Sequence, residues 1–189
     1  MNGQQETHSV ESIYPQVTRV GLASVWVLLT VLGLVGNTLV ILSVIFSRKL
    51  RTVTNVFVVN LSVADLWTTL SYPWMVVAIL SQDAWPMESD APCMIAAVQL
   101  LTGLGTRMYS LAAIGLNRMI LTTQSEETYR RLYSPGKVTG MVATTWLVPF
   151  IVICLPPILK VGALGYDPQD KTCSDKDSIA SGPEYNVIQ

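Results

Sequence analysis

Four hydrophobic runs follow one another along the chain, separated by short polar segments. Val20 to Phe46 and Val138 to Leu159 contain no charged residue. Asn55 to Gln82 contains one, Asp65, and Pro92 to Thr123 contains two, Arg107 and Arg118. Each run reaches the roughly 20 apolar residues needed to cross a hydrocarbon core of about 30 Å. Lipid cannot satisfy an open backbone, so such runs are expected as helices. The pattern predicts an all-α integral membrane bundle with helices over residues 18–47, 54–82, 92–123 and 137–159. Residues 1–17 are then a polar tail, while 48–53, 83–91 and 124–136 are connecting loops. Residues 160–189 form a long final loop, with Glu184 to Gln189 approaching a further span.

Composition agrees. Half of the 189 residues are hydrophobic and 13% are charged, about half the charged share of a soluble domain. A net charge of −1, with no basic stripe outside the spans, argues against a nucleic-acid partner. Met1 to Pro15 lacks the basic start and short apolar core of a cleaved signal peptide, so the first run is expected to insert as its own anchor. Arg48, Lys49 and Arg51 follow the first run, and Arg130, Arg131 and Lys137 follow the third. The loop between the second and third carries only acids, Asp83, Glu88 and Asp90. The positive-inside rule then places the amino terminus outside and both basic loops in the cytoplasm.

Cys93 and Cys173 fall on the oxidising side in this topology, whereas Cys154 lies within the fourth run. A disulfide between the first two is the natural reading, with a pair of free thiols as the alternative. Asn60-Leu61-Ser62 matches a glycosylation sequon but lies inside a span, out of reach of the transferase. No metal-ligand cluster, phosphate loop or Ser/His/Asp grouping occurs, and the lone His8 sits in the polar tail. Nothing in the chain calls for a catalytic residue, a metal or another cofactor.

Counting depth from the helix ends at about 1.5 Å per residue puts Asn37, Asp65 and Arg107 at a common level, roughly 16 Å in from one surface. Arg107 and Arg118 are eleven residues apart, close to three turns, so they share a helix face with Leu100. Two readings of the charged residues stand. Asp65 and Arg107 form an ion pair with Asn37 hydrogen-bonding nearby between helices, or Asp65 is protonated and Arg107 reaches water in a cavity. Pro73, Pro149, Pro156 and Pro157 are expected to bend their helices. Trp74 and Trp85 suit interface anchoring, and mid-span Trp146 suits packing between helices.

These residues resemble the rhodopsin-like (class A) G-protein-coupled receptors, from the first run through the loop after the fourth. Gly36-Asn37 is similar to the first-helix signature, and Leu61-Ser62-Val63-Ala64-Asp65 to the Leu-x-x-Ala-Asp motif of the second. Trp85 fits the first outer loop; Cys93 and Arg118 stand 25 apart, as the third-helix cysteine and terminal arginine do. Trp146 with Pro156 resembles the fourth helix, and Cys173 takes the place of the disulfide partner. No one of these is specific alone; their order and sidedness are. The resemblance implies the first four helices of a seven-helix receptor fold at the plasma membrane. An extracellular ligand would bind at one end and a heterotrimeric G protein at the other. It assigns Asn117, Arg118 and Met119 to the coupling switch, Asn37, Asp65 and Arg107 to the midplane polar network, and Leu100, Leu101 and Leu104 to the ligand pocket.

Three departures from the family pattern matter. The acidic residue that normally restrains the arginine is replaced by Asn117, so that lock is weaker. Asn117-Arg118, with Tyr129-Arg130-Arg131-Leu132-Tyr133-Ser134, looks like the melatonin-receptor group and its invertebrate relatives. Arg107 stands where a small hydroxyl residue commonly helps the second-helix aspartate hold sodium, so no sodium is expected at Asp65. Leu100 replaces the aspartate that pairs with cationic ligands, which disfavours a biogenic amine. With four spans where seven are expected, the chain reads as a fragment of such a receptor. The alternative is a truncated four-helix membrane protein that associates with full-length receptors. A transporter or channel is a third class, but the broken-helix pairs and internal repeats typical of it are missing from the sequence.

Overall fold

A computed structural model of the chain describes residues 15–81, 85–160, 162–168 and 170–175. Most of the expected tail, the acids at Asp83, Asp177 and Glu184, and the approach to a further span lie outside the described residues. Four long helical segments form the bundle. Helix α1 spans Gln16–Phe46, α2 spans Val53–Thr69 and continues as α3, Tyr72–Leu80, while α4 covers Ala91–Thr123 and α6 covers Pro135–Ile158. By length and apolar composition α1, the α2–α3 unit and α6 each suffice to cross a membrane. Helix α4 is longer still, 33 residues, but less apolar because it carries Gln99, Arg107, Asn117 and Arg118. The chain is thus a multi-pass membrane protein. Side chains such as Leu32, Leu39, Ile151 and Val152 are more than half exposed, as expected where hydrocarbon rather than water is the solvent.

The second span is broken where proline demands it. Pro73 brings no N–H to the ladder, and the helix interrupts at Leu70 and Ser71. Hydroxyls take up carbonyls around the break: Thr68 donates to Ala64 O, Thr69 to Asp65 O and Ser71 to Thr68 O, each at 2.7 Å. Such back-bonding satisfies each hydroxyl within its own helix, as the membrane interior requires. Helix α4 sits at the centre of the bundle because its glycines admit neighbours closely. A Cβ on Gly103 would collide with the Thr68 hydroxyl of α2, and one on Gly105 would stand 2.6 Å from Pro149 of α6. Small residues at crossings are how membrane helices gain packing contacts.

Two features depart from the expectation of four helices joined by loops. The segment 124–136 contains a further helix, α5, at Glu126–Leu132. Ser125 caps it by accepting from the Thr128 N–H, acids fill the first turn and arginines the last, and Arg130 pairs with Glu126 at 2.7 Å. Those charges oppose the helix dipole at each end. In the final loop, β1 (Leu164–Asp167) and β2 (Thr172–Asp175) form an antiparallel hairpin that places Tyr166 opposite Cys173.

Candidate functional site

The Cys93–Cys173 disulfide is formed and fastens the hairpin to the start of α4. Around it Met75, Ala78, Trp85, Ala96 and Tyr166 make a buried cluster. Trp85 is a core residue of this cap, not an interface anchor: its ring lies 5.7 Å from Tyr166 and its Nε1 donates to Ser89 O. Trp74 is half-buried against the same cluster. Arg19 of α1 and Lys171 of the hairpin both donate to the Ser81 carbonyl, at 2.8 and 3.0 Å, and Tyr166 shares a hydrogen bond with the Ser81 hydroxyl.

Asp65 of α2 and Arg107 of α4 meet, Nε to Oδ1 at 2.9 Å, with each side chain about a quarter exposed. Nε makes no aligned hydrogen bond, so the attraction is that of two opposite charges at short range. Asn37 does not join them. Its amide donates to Gly33 O of its own helix at 3.0 Å; the carbonyl four residues back is the nearest acceptor, and it absorbs the donor expected to cross to α2.

The three leucines do not converge either. Leu100 packs on the disulfide cluster, Leu101 lines a small cavity with Val152 and Pro156 of α6, and Leu104 is 41% exposed. Residues 100 and 104 are one turn apart, whereas 101 is rotated by about 100° from 100.

The polar knot that holds the helices together is one the sequence reading set aside. Asn60, read only as an unusable sequon, is buried and joins three helices. Its Nδ2 donates to Ser110 Oγ of α4 at 2.8 Å and to Thr145 Oγ1 of α6 at 3.1 Å. Its Oδ1 accepts from Trp146 Nε1 at 2.8 Å. Trp146 does pack between helices, edge-on to Trp67. An amide five residues from Asp65, at the depth of Ser110 and Thr145, was the available signal. Asn60→Ala is expected to cost about 2–3 kcal/mol, because Trp146 Nε1–H loses its buried acceptor along with the bonds to α4 and α6. Thermal unfolding in detergent checks it, and a melting point equal to that of the parent would contradict the role.

At the opposite end from the disulfide, Asn117 is wholly buried. It accepts from Thr54 Oγ1 of α2 at 2.6 Å and donates to the Tyr129 hydroxyl of α5 at 3.1 Å. Arg118 and Met119 beside it are exposed, and the Arg118 guanidinium has no partner among the described residues. Tyr133 packs edge-on against Phe57. Burial above all pushes its phenol above the ordinary value, with Asn117 lowering and Tyr129 raising it less, so it stays neutral near pH 7.

The family described as 7 transmembrane receptor (rhodopsin family) matches residues 36–188. The chain is 36% identical to melatonin receptor type 1B of Mus musculus over 154 residues, 81% of this chain and 41% of that protein. It is 34% identical to melatonin receptor type 1A of Ovis aries over 168 residues, 88% of this chain and 44% of that protein. With melatonin receptor type 1C of Gallus gallus the identity is 30% over 169 residues, 89% and 47% of the two chains. The chain spans about half the length of the curated relatives it matches. Its ordered motifs, its disulfide-tied cap and the match over most of its length have one explanation: the chain belongs to the rhodopsin family of seven-transmembrane receptors.

Proposed function

We propose that these residues form the amino-terminal part of a plasma-membrane receptor that passes an extracellular ligand signal to a heterotrimeric G protein. The disulfide end faces outside and the Arg118 end faces the cytoplasm. Lys and Arg placement supports that orientation, since Arg48, Lys49, Arg51, Arg130, Arg131 and Lys137 all lie at the Arg118 end. The observation that carries the reading is the state of Arg118. It is exposed, without a partner among the described residues, and stands next to a buried asparagine whose hydrogen bonds go to Thr54 and Tyr129. A guanidinium so placed is available to a protein docking from the cytoplasm. A leucine at position 100, in place of an aspartate that would pair with a cation, suits a neutral or apolar ligand; melatonin, for which the relatives are named, is the first compound to test.

The test uses the transcript beyond codon 189 and the receptor it encodes. Three more hydrophobic spans are expected, and a receptor that catalyses guanine-nucleotide exchange on a G protein. Asn117→Asp then supplies the missing acidic neighbour, while Thr54 and Tyr129 both have hydroxyls that donate to a carboxylate. An ion pair between this buried position and the exposed Arg118, worth about 1 kcal/mol, shifts a two-state balance roughly fivefold. Basal exchange is expected to fall by about that factor. Failure of the parent receptor to support exchange on any G-protein class would overturn the proposal.

A further inference from the structure

The segment 124–136 carries Tyr129-Arg130-Arg131-Leu132, a tyrosine followed at the third place by a bulky aliphatic residue. The coupling switch engages the Tyr129 hydroxyl and makes no use of Leu132. Helix α5, which contains both, is seven residues long and has no buried residue. A helix that short does not persist in water without tertiary contacts. Those of α5 are few. Asn117 donates to the Tyr129 hydroxyl at 3.1 Å, the Tyr129 ring lies 5.0 Å from that of Tyr133, and Arg130 pairs with Glu126. Both side chains of that ion pair are more than three-quarters exposed, so it adds little.

Leu132 is 38% exposed, and Arg130 and Arg131 beside it are exposed too. The backbone is already extended on either side of α5, at Gln124 and Ser125 before it and at Ser134 after it. α5 can therefore unwind as a unit without disturbing α4 or α6. Residues 124–136 then form an extended loop with a contour of roughly 45 Å. In that form the phenol of Tyr129 and the isobutyl group of Leu132 are two anchors about 10 Å apart. A partner that adds such a segment to a sheet edge takes anchors of this kind in two pockets. Cytoplasmic adaptors that select membrane cargo for coated vesicles read this pattern with the tyrosine unmodified. Phosphotyrosine readers share the spacing, but Arg130 and Arg131 directly follow Tyr129 and would neutralise a phosphate placed there.

We propose that Tyr129 and Leu132 form a latent sorting signal, closed within α5 while Tyr129 bonds to Asn117 and bound by a cargo adaptor once α5 unwinds. Opening takes from Asn117 its partner on α5, so adaptor binding and the state of the Arg118 end bias one another. The inference rests on the orientation proposed above, which puts α5 in the cytoplasm.

The experiment measures binding of the recombinant tyrosine-motif-binding domain of a clathrin adaptor to the purified 189-residue chain in micelles, by biolayer interferometry. Binding in micelles requires neither orientation nor G-protein coupling, so its failure is distinguishable from failure of the receptor reading. Binding is expected, with the free peptide 124–136 about tenfold tighter, as when α5 is open in roughly a tenth of the chains. Tyr129→Ala and Leu132→Ala are each expected to weaken it about thirtyfold. Asn117→Ala removes the hydrogen bond that keeps α5 closed and is expected to tighten binding roughly fivefold. Arg130→Gly keeps both anchors, weakens the helix and is expected to tighten binding by a similar factor; it decides the matter if Asn117→Ala does not fold. A peptide that does not bind, or a chain whose binding neither variant strengthens, would overturn the proposal. So would binding that appears only after Tyr129 is phosphorylated, which would mean a phosphotyrosine reader.

Discussion

Arg107→Met is expected to lower stability by about 3 kcal/mol, while Asp65→Leu combined with Arg107→Met stays close to the parent. The asymmetry follows from desolvation. Removing one member of a membrane-embedded pair leaves a carboxylate without its counter-charge, at a cost of roughly 3–5 kcal/mol, whereas replacing both by apolar groups removes the burial penalty as well. The lower figure applies because each side chain keeps about a quarter of its surface exposed. Thermal unfolding of the chain and its three variants in detergent closes the double-mutant cycle. If the double variant lost as much stability as the two single variants summed, the pair would carry no coupling. The same contact bears on sodium. With Arg107 Nε 2.9 Å from Asp65 Oδ1, a second cation at that carboxylate meets direct repulsion. Sodium is therefore expected to leave ligand affinity of the complete receptor unchanged, and Arg107→Ser to introduce a response.

The ion pair was legible in the sequence because a charge within an apolar run has few ways to be satisfied. Two opposite charges at one depth on neighbouring spans leave a short list of arrangements. Asn37 and Asn60 show the limit of that logic. Both are amides inside spans, yet one spends its donor on Gly33 of its own helix and the other ties three helices together. Depth along the helix was readable; the facing direction depends on how the helices rotate about their axes, which tertiary packing decides. Glycine positions in α4 carry part of that information, since Gly103 and Gly105 mark where α2 and α6 come close. Helix α5 is a different kind of miss. Its Ser125 cap, acidic first turn and Arg130–Glu126 pairing were all present in the residues, but seven residues between two spans read as a connection. Trp85 shows the reverse error. A tryptophan beside a span suits the lipid interface, and only the hairpin folded over it turns it into a core residue.

The hairpin's dependence on its covalent tie is the second large effect. Cys93 and Cys173 are separated by 80 residues in sequence, and closing a loop of that size removes chain entropy worth about 4–5 kcal/mol in the loop-closure account. Cys93→Ala with Cys173→Ala is therefore expected to release the cap while the helices persist. α4 and α6 keep the Gly105–Pro149 approach, and α2, α4 and α6 keep the Asn60 knot. Without the bond the hairpin retains Tyr166 and Lys171 on Ser81 and the packing of Tyr166 against Trp85. Those are noncovalent contacts, each hydrogen bond worth about 1–3 kcal/mol at most. They must also offset the entropy of ordering the strands Leu164–Asp167 and Thr172–Asp175. Hydrogen exchange separates the two parts of the molecule. Amides of the hairpin are expected to lose about a thousandfold of protection, the factor that corresponds to roughly 4 kcal/mol of local opening. Amides of α4 between Thr102 and Asn117 should change little. If the hairpin amides stayed protected, the noncovalent contacts would be sufficient on their own and the disulfide would be redundant to the cap.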